Sequence, residues 1–202
     1  MLTFKPKYLL VAAVVGINVA AVTIPFATNA ATQTTTLNLS ISPVLISDTT
    51  SGTVALGPIT PTSGGQQSIA KDIVTGVTND SAGLQISLQE NSSSSTALLN
   101  GANTIATGSG TPASPAALAT NTWGWRMDSL SGFGSGPTSA LTSGAPSALT
   151  FAGIPANGSP YTLSNTSASG TTTDNVWYSA DVDTTPATGT YSTTLLYTFT
   201  LN

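Results

Sequence analysis

Few side chains in this chain have both the type and the spacing to do chemistry. Ser68-Ile69-Ala70-Lys71 spells Ser-x-x-Lys. In penicillin-recognising enzymes that spacing lets a lysine one helical turn away activate a serine nucleophile. Here the surrounding pattern is that of a strand or loop. Lys71 is the only lysine after residue 30, so no Lys-Thr-Gly follows and the tetrapeptide reads as chance. Asp181 and Asp183 are two apart and share one face of a regular strand. Paired carboxylates hydrolyse glycosides when one of them has a raised pKa. With Asp174 they could instead give calcium its oxygen ligands. The plainer reading is three solvated charges. Trp123 and Trp125 also share a strand face, and exposed aromatic faces stack on sugar rings. With Met127 they read more simply as core. Trp177 lies on the face opposite Val176, Tyr178, Ala180 and Val182, so it is either exposed or covered by a loop. It is the best single candidate for a ligand or partner contact.

Composition removes whole classes of function. The 202 residues include no His and no Cys. The common zinc, copper and haem sites, and every nucleophile–imidazole pair, therefore lack their ligands or their base. No cofactor is expected, although an oxygen-liganded ion such as calcium has its ligand types present. Disulfides are excluded as well, so packing and strand hydrogen bonds must hold the fold. Charged residues make up 6% of the chain, against about 25% in ordinary soluble domains. Beyond residue 30 the cations are Lys71 and Arg126 alone. The acids are Asp48, Asp72, Asp80, Glu90, Asp128, Asp174, Asp181 and Asp183. That balance offers almost nothing to displace counterions from phosphates or to attract anionic lipid. Nucleic acid and membrane surfaces are not expected partners.

The elements that would position these residues follow a leader. Lys5 and Lys7 precede an apolar run, Tyr8–Val22, and Thr28-Asn29-Ala30 closes the segment with small residues at −3 and −1. This is the pattern of a secretory signal peptide cleaved after Ala30, which predicts an extracellular protein with no remaining membrane span. One domain, residues 31–202, is expected to follow. Its apolar residues alternate: Leu37, Leu39 and Ile41; Leu84, Ile86 and Leu88; Val176, Tyr178, Ala180 and Val182; Tyr191, Leu195, Tyr197, Phe199 and Leu201. Successive side chains of a strand point to opposite faces, so each segment reads as a strand with one apolar and one hydroxyl-rich face. Threonine suits such positions. Further strands are predicted near Thr53–Leu56, Ile69–Val77, Thr96–Leu99, Thr104–Thr107, Trp123–Met127, Leu149–Ala152 and Tyr161–Leu163. Asn100-Gly101 signals a hairpin. Gly108–Thr120 and Gly132–Pro146 read as surface loops without core residues. No helix is expected. About ten short antiparallel strands at this spacing predict an all-β immunoglobulin-like or jelly-roll sandwich.

Three stretches carry a resemblance. Gly83-Leu84-Gln85-Ile86-Ser87-Leu88 is followed by Leu98-Leu99-Asn100-Gly101-Ala102-Asn103-Thr104-Ile105, and the chain closes with the strand Gly189–Leu201. Over roughly residues 76–202 this order resembles the WxL-type cell-surface domains of bacteria. Leu84 stands near the first signature tryptophan, and Tyr197-Thr198-Phe199 takes the place of the second. The terminal Gly-Thr-Tyr strand is similar to that of pilin-like exported sandwiches. The resemblance implies a β-sandwich held non-covalently at the cell wall.

The expected function is that of a secreted, non-enzymatic structural, adhesive or fibre-forming module at the cell surface. Its expected partners are cell-wall glycan or other surface proteins. The alternative is a cell-wall or glycan-binding module stacking sugars on Trp177, Trp123 and Trp125. The segment Ala31–Ser42, alternating and uncharged, could pair with the open sheet edge of a neighbouring subunit. Its simpler fate is pairing within its own sandwich. Five Asn-x-Ser/Thr sequons, at Asn38, Asn79, Asn91, Asn157 and Asn165, matter only in a host that glycosylates exported proteins.

Overall fold

Strand-forming alternation becomes two stacked sheets. The computed structural model describes residues 36, 38–49, 52–128, 130 and 132–202. The expected leader, and residues 31–35 and 37 of the expected first strand, lie outside the described residues. Ile41–Asn202 form one compact unit. Of the other unit, Met1–Ser40, the described residues are irregular and exposed.

Twelve strands are present among the described residues: β1 (Leu45–Thr49), β2 (Gln66–Thr78), β3 (Leu84–Glu90), β4 (Leu98–Asn100), β5 (Asn103–Thr107), β6 (Ala116–Ala117), β7 (Thr122–Arg126), β8 (Leu141–Gly144), β9 (Thr150–Phe151), β10 (Tyr161–Asn165), β11 (Gly170–Val182) and β12 (Leu195–Leu201). The fold is all-β and sandwich-like, as the alternation predicts. The larger sheet runs β1-β2-β11-β7-β5-β4, with β8 also paired to β2. The smaller runs β10-β3-β12, and β6-β9 is a two-stranded ladder. One pairing departs from the antiparallel expectation: β5 and β7 are parallel, with Ala106 opposite Thr122.

The core lies between the two sheets. The inner face of the large sheet brings Val74, Val176, Tyr178, Ala180, Trp123, Trp125 and Met127 against Leu84, Ile86, Leu88 and Leu163 of the small one. Trp123 and Trp125 are fully enclosed. Their indole nitrogens donate to the carbonyls of Thr96 and Gly153 at 3.0 Å each, so burial strands no polar atom. At Gly76 the sheets approach closely: a Cβ there would meet Leu84 and Phe199 at 3.2–3.3 Å.

A third layer covers the outer face of the large sheet. Ile69, Phe151 and Trp177 form a second apolar cluster, with Leu118, Leu141 and Leu149 packed against it. This corrects the reading of Gly132–Pro146 as an excursion without core. Phe133 is buried, and β8 pairs with β2. Thr53–Leu56, expected as a strand, is irregular, although Val54 and Leu56 pack on the main core. The described part of the expected first strand, Asn38–Ser42, is irregular too, and β1 starts three residues further on.

Candidate functional site

Strand register places both cations of the folded unit beside one tryptophan. On the outer face, Trp177 of β11 pairs with Lys71 of β2 on one side and Arg126 of β7 on the other. The three side chains therefore form one row across the sheet. Lys71 is exposed, and its Nζ stands 5.3 Å from the Trp177 ring centroid, a cation–π distance.

Arg126 has no exposed side-chain surface. Its Nη2 donates to the carbonyls of Phe133 and Gly134 at 2.8 Å each and to Asp128 Oδ1 at 3.2 Å. Its Nη1 donates to the Thr150 carbonyl at 3.3 Å. The rings of Phe133 and Phe151 lie 5.9 Å from the guanidinium carbon. Burial lowers its pKa, and neighbouring Asp128 opposes the shift. These bonds make Arg126 the clamp that holds the third layer onto the sheet. A planar fork of donors suits several carbonyls at once, as an ammonium does not.

Trp177 is 4% exposed. The reading of Trp177 as an open stacking platform is corrected by the layer above it, and Trp123 and Trp125 are removed from that role by the main core. What remains at the surface is a cleft of about 330 Å³. Its walls are apolar at Trp177, Met127 and Pro137 and polar at Lys71, Asp128, Thr173 and Asn175. That is the lower end of the size range of small-molecule sites. It offers an ammonium, a carboxylate, an amide and a hydroxyl, groups that hydrogen-bond a polar ligand.

The three acids proposed as calcium ligands are dispersed. Asp174 is on the inner face, where its Oδ2 accepts from Ser164 Oγ at 2.7 Å. Burial raises its pKa, and that hydrogen bond works against the rise. Asp181 is on the outer face and 2% exposed, and its Oδ1 has no hydrogen-bond partner. Burial raises its pKa, and Asp183 adds to the rise. Asp183 accepts from the Thr185 N–H at 2.8 Å and from Asn121 Nδ2 at 2.9 Å, and its pKa is lowered, chiefly by the Thr185 bond. Alternation along β11 separates Asp174 from Asp181, and no group of three metal-ligating acids exists among the described residues. The split of pKa values between Asp181 and Asp183 is the kind that acid–base pairs use. With Asp181 enclosed, however, the pair presents no open face to a substrate. Ser68 and Lys71 fall three apart on β2, hence on opposite faces. Ser68 Oγ donates to the Leu141 carbonyl at 3.0 Å.

Parity was the missed signal for Arg126 and Lys71. In Trp123-Gly124-Trp125-Arg126 the arginine faces away from the buried tryptophans, toward the side of Trp177. Alternation places Tyr178 and Tyr197 on apolar faces and does not show that they touch. Tyr178 and Tyr197 hydroxyls meet at 2.6 Å beside Asp72, and burial raises the pKa of both.

The sheet edges are the other candidate surface. Among the described residues β12 pairs with β3 alone, over seven residues in unbroken register from Leu195–Glu90 to Leu201–Leu84. It contains no charge and no proline. Leu39 and Ile41 are 82% and 75% exposed, and Val44 and Ile46 are exposed as well. No helix among the described residues is long and apolar enough to cross a membrane. Comparison with known proteins brings no match to any family, curated protein or solved structure.

Proposed function

We propose that this protein is exported through a cleaved leader and serves at the cell surface as a non-enzymatic structural, adhesive or fibre-forming module, of the kind found in WxL-type and pilin-like sandwiches. The observation that carries the reading is the bare edge of β12. Monomeric β-proteins normally guard an edge with charge, proline or a bulge, and β12 has none of these over seven residues, while among the described residues it pairs with β3 alone. Exposed apolar residues ahead of β1 add a second adhesive feature. The candidate catalytic residues point the same way, since each is enclosed, dispersed or on the wrong face. Fractionation of producing cells into wall, membrane and medium tests the assignment. Recovery in wall or medium with the first thirty residues removed is the expected result. An unprocessed protein in the cytoplasm would end it.

Glycan binding is the second reading, favoured by the cleft beside Trp177. Lys71, Asn175 and Thr173 would hydrogen-bond the sugar. Retention on purified peptidoglycan or a glycan array, lost in Lys71→Ala, is the result expected of it. No retention of the wild type on either would dispose of it.

A further inference from the structure

Resting on that structural reading, we propose that residues Asn38–Ser42 of one copy pair along the free edge of β12 in a second copy, adding a fourth strand to the small sheet. The long edges of the two sheets are not equivalent. β1 carries Asp48, a charge that discourages a further strand. β4 is three residues long and is already bridged through Leu99 to Ser192. β10 breaks register between Thr162 and Ser164, and such a bulge twists an edge away from pairing. Among the described residues, β12 is the long edge that is regular, uncharged and unpaired on its outer side.

Its inner face is also unfinished. Leu84, Ile86 and Leu88 of the neighbouring β3 are fully buried, whereas Leu195, Tyr197, Phe199 and Leu201 of β12 are only half-buried. A strand added beyond β12 would cover them. The chain carries a segment of matching chemistry. Leu39 and Ile41 alternate with Asn38, Ser40 and Ser42, as Tyr197 and Phe199 alternate with Leu196, Thr198 and Thr200. Neither segment has a charge to desolvate. Ile41, in the same unit as the sheets, stays exposed at 75%. The segment is tethered where it leaves the domain: Asn79 Nδ2 donates to the Ser42 carbonyl at 3.2 Å, and the Val44 N–H donates to Asn79 Oδ1 at 2.6 Å. A tethered base with an exposed, uncharged, irregular segment ahead of it is a donor geometry, and strand addition would join it through backbone hydrogen bonds and alternate side chains. Because donor and acceptor lie on different parts of one chain, the contact is heterologous and propagates.

Sedimentation velocity of the exported protein over a concentration series tests this. The wild type should associate, and Leu39→Lys with Ile41→Lys should weaken association by at least about tenfold with an unchanged circular dichroism spectrum. The chain has no cysteine, so placed thiols report alone. Ser40→Cys mixed with Thr200→Cys, both on the polar face of the proposed pairing, should oxidise to a mixed dimer, and Ser40→Cys mixed with Asn103→Cys, in β5 of the large sheet, should not. This second measurement holds even if the lysine variant misfolds. A wild type that stays monomeric, association indifferent to the lysines, or equal cross-linking to both sites would overturn the pairing. So would a Ser40→Cys/Thr200→Cys chain that closes on itself at monomer mass. A monomer recovered from the wall fraction would sink this inference and leave the surface assignment standing. Assemblies recovered only from cytoplasm would do the reverse.

Discussion

Tyr178 of β11 and Tyr197 of β12 join the two sheets through their hydroxyls, 2.6 Å apart. The contact puts a polar link in the middle of an apolar interlayer, beside Asp72. Removing one hydroxyl leaves the other without its partner in a buried position, a loss of about 1–2 kcal/mol. Tyr197→Phe should therefore lower the urea midpoint by that amount with the fold retained.

The same pair sets an alkaline limit. Burial raises both phenol pKa values above the ordinary value near 10, so the folded state holds protons that the unfolded chain releases. The stabilising contribution is complete below the unfolded pKa and is lost as pH rises beyond it. Stability should fall above about pH 10, and phenolate absorbance from these two residues should appear together with unfolding. Their titration in the intact fold near pH 10 would refute this.

Arg126 binds the third layer through three carbonyls and Asp128. Arg126→Lys keeps the charge and loses the fork, leaving several acceptors unmet at a cost of about 2–4 kcal/mol. Limited proteolysis should then cut within residues 132–150 before the sandwich opens. Uniform resistance of that stretch would mean that Ile69, Phe151 and Trp177 hold the layer without it.

Asp181 works in the opposite sense to an ordinary surface acid. Its raised pKa means that the folded state binds the proton more tightly, so its destabilising effect is complete at neutral pH and disappears as pH falls below the unfolded value near 4. Asp181→Asn should raise stability at pH 7 by about 1 kcal/mol, the scale of an unmet buried polar group. The advantage should vanish near pH 3. An equal gain at both pH values would point to packing as the cause.

Much of this was legible where alternation ran unbroken. β3, β11 and β12 each have one apolar face, and the parity of Trp123 and Trp125 assigns them to the main core. The third layer was hidden because Leu141, Leu149 and Phe151 are separated by Gly, Ser and Pro with no period to read. That concealment also hid the cover over Trp177. β1 was missed because Val44, Leu45 and Ile46 are consecutive apolar residues, a run that alternation does not resolve. The close approach at Gly76 is a property of two sheets meeting and leaves no local trace.

Trp177 and Lys71 separate the structural from the binding reading of the cleft. They pair across β11 and β2, yet one is enclosed and the other exposed. Trp177→Ala opens a cavity among Ile69, Phe151 and Leu141 and should cost about 3–5 kcal/mol, so any ligand loss in that variant would follow from a damaged fold. Lys71→Ala removes an exposed ammonium and should change stability by less than about 1 kcal/mol. A glycan held in the cleft should therefore dissociate in Lys71→Ala and Asn175→Ala at unchanged melting temperature. Because cleft contacts are mostly neutral hydrogen bonds, binding should fall little between low and moderate salt. A steep salt dependence would shift the weight onto Lys71 as an ion-pair donor, and binding that survives both variants would place the ligand elsewhere.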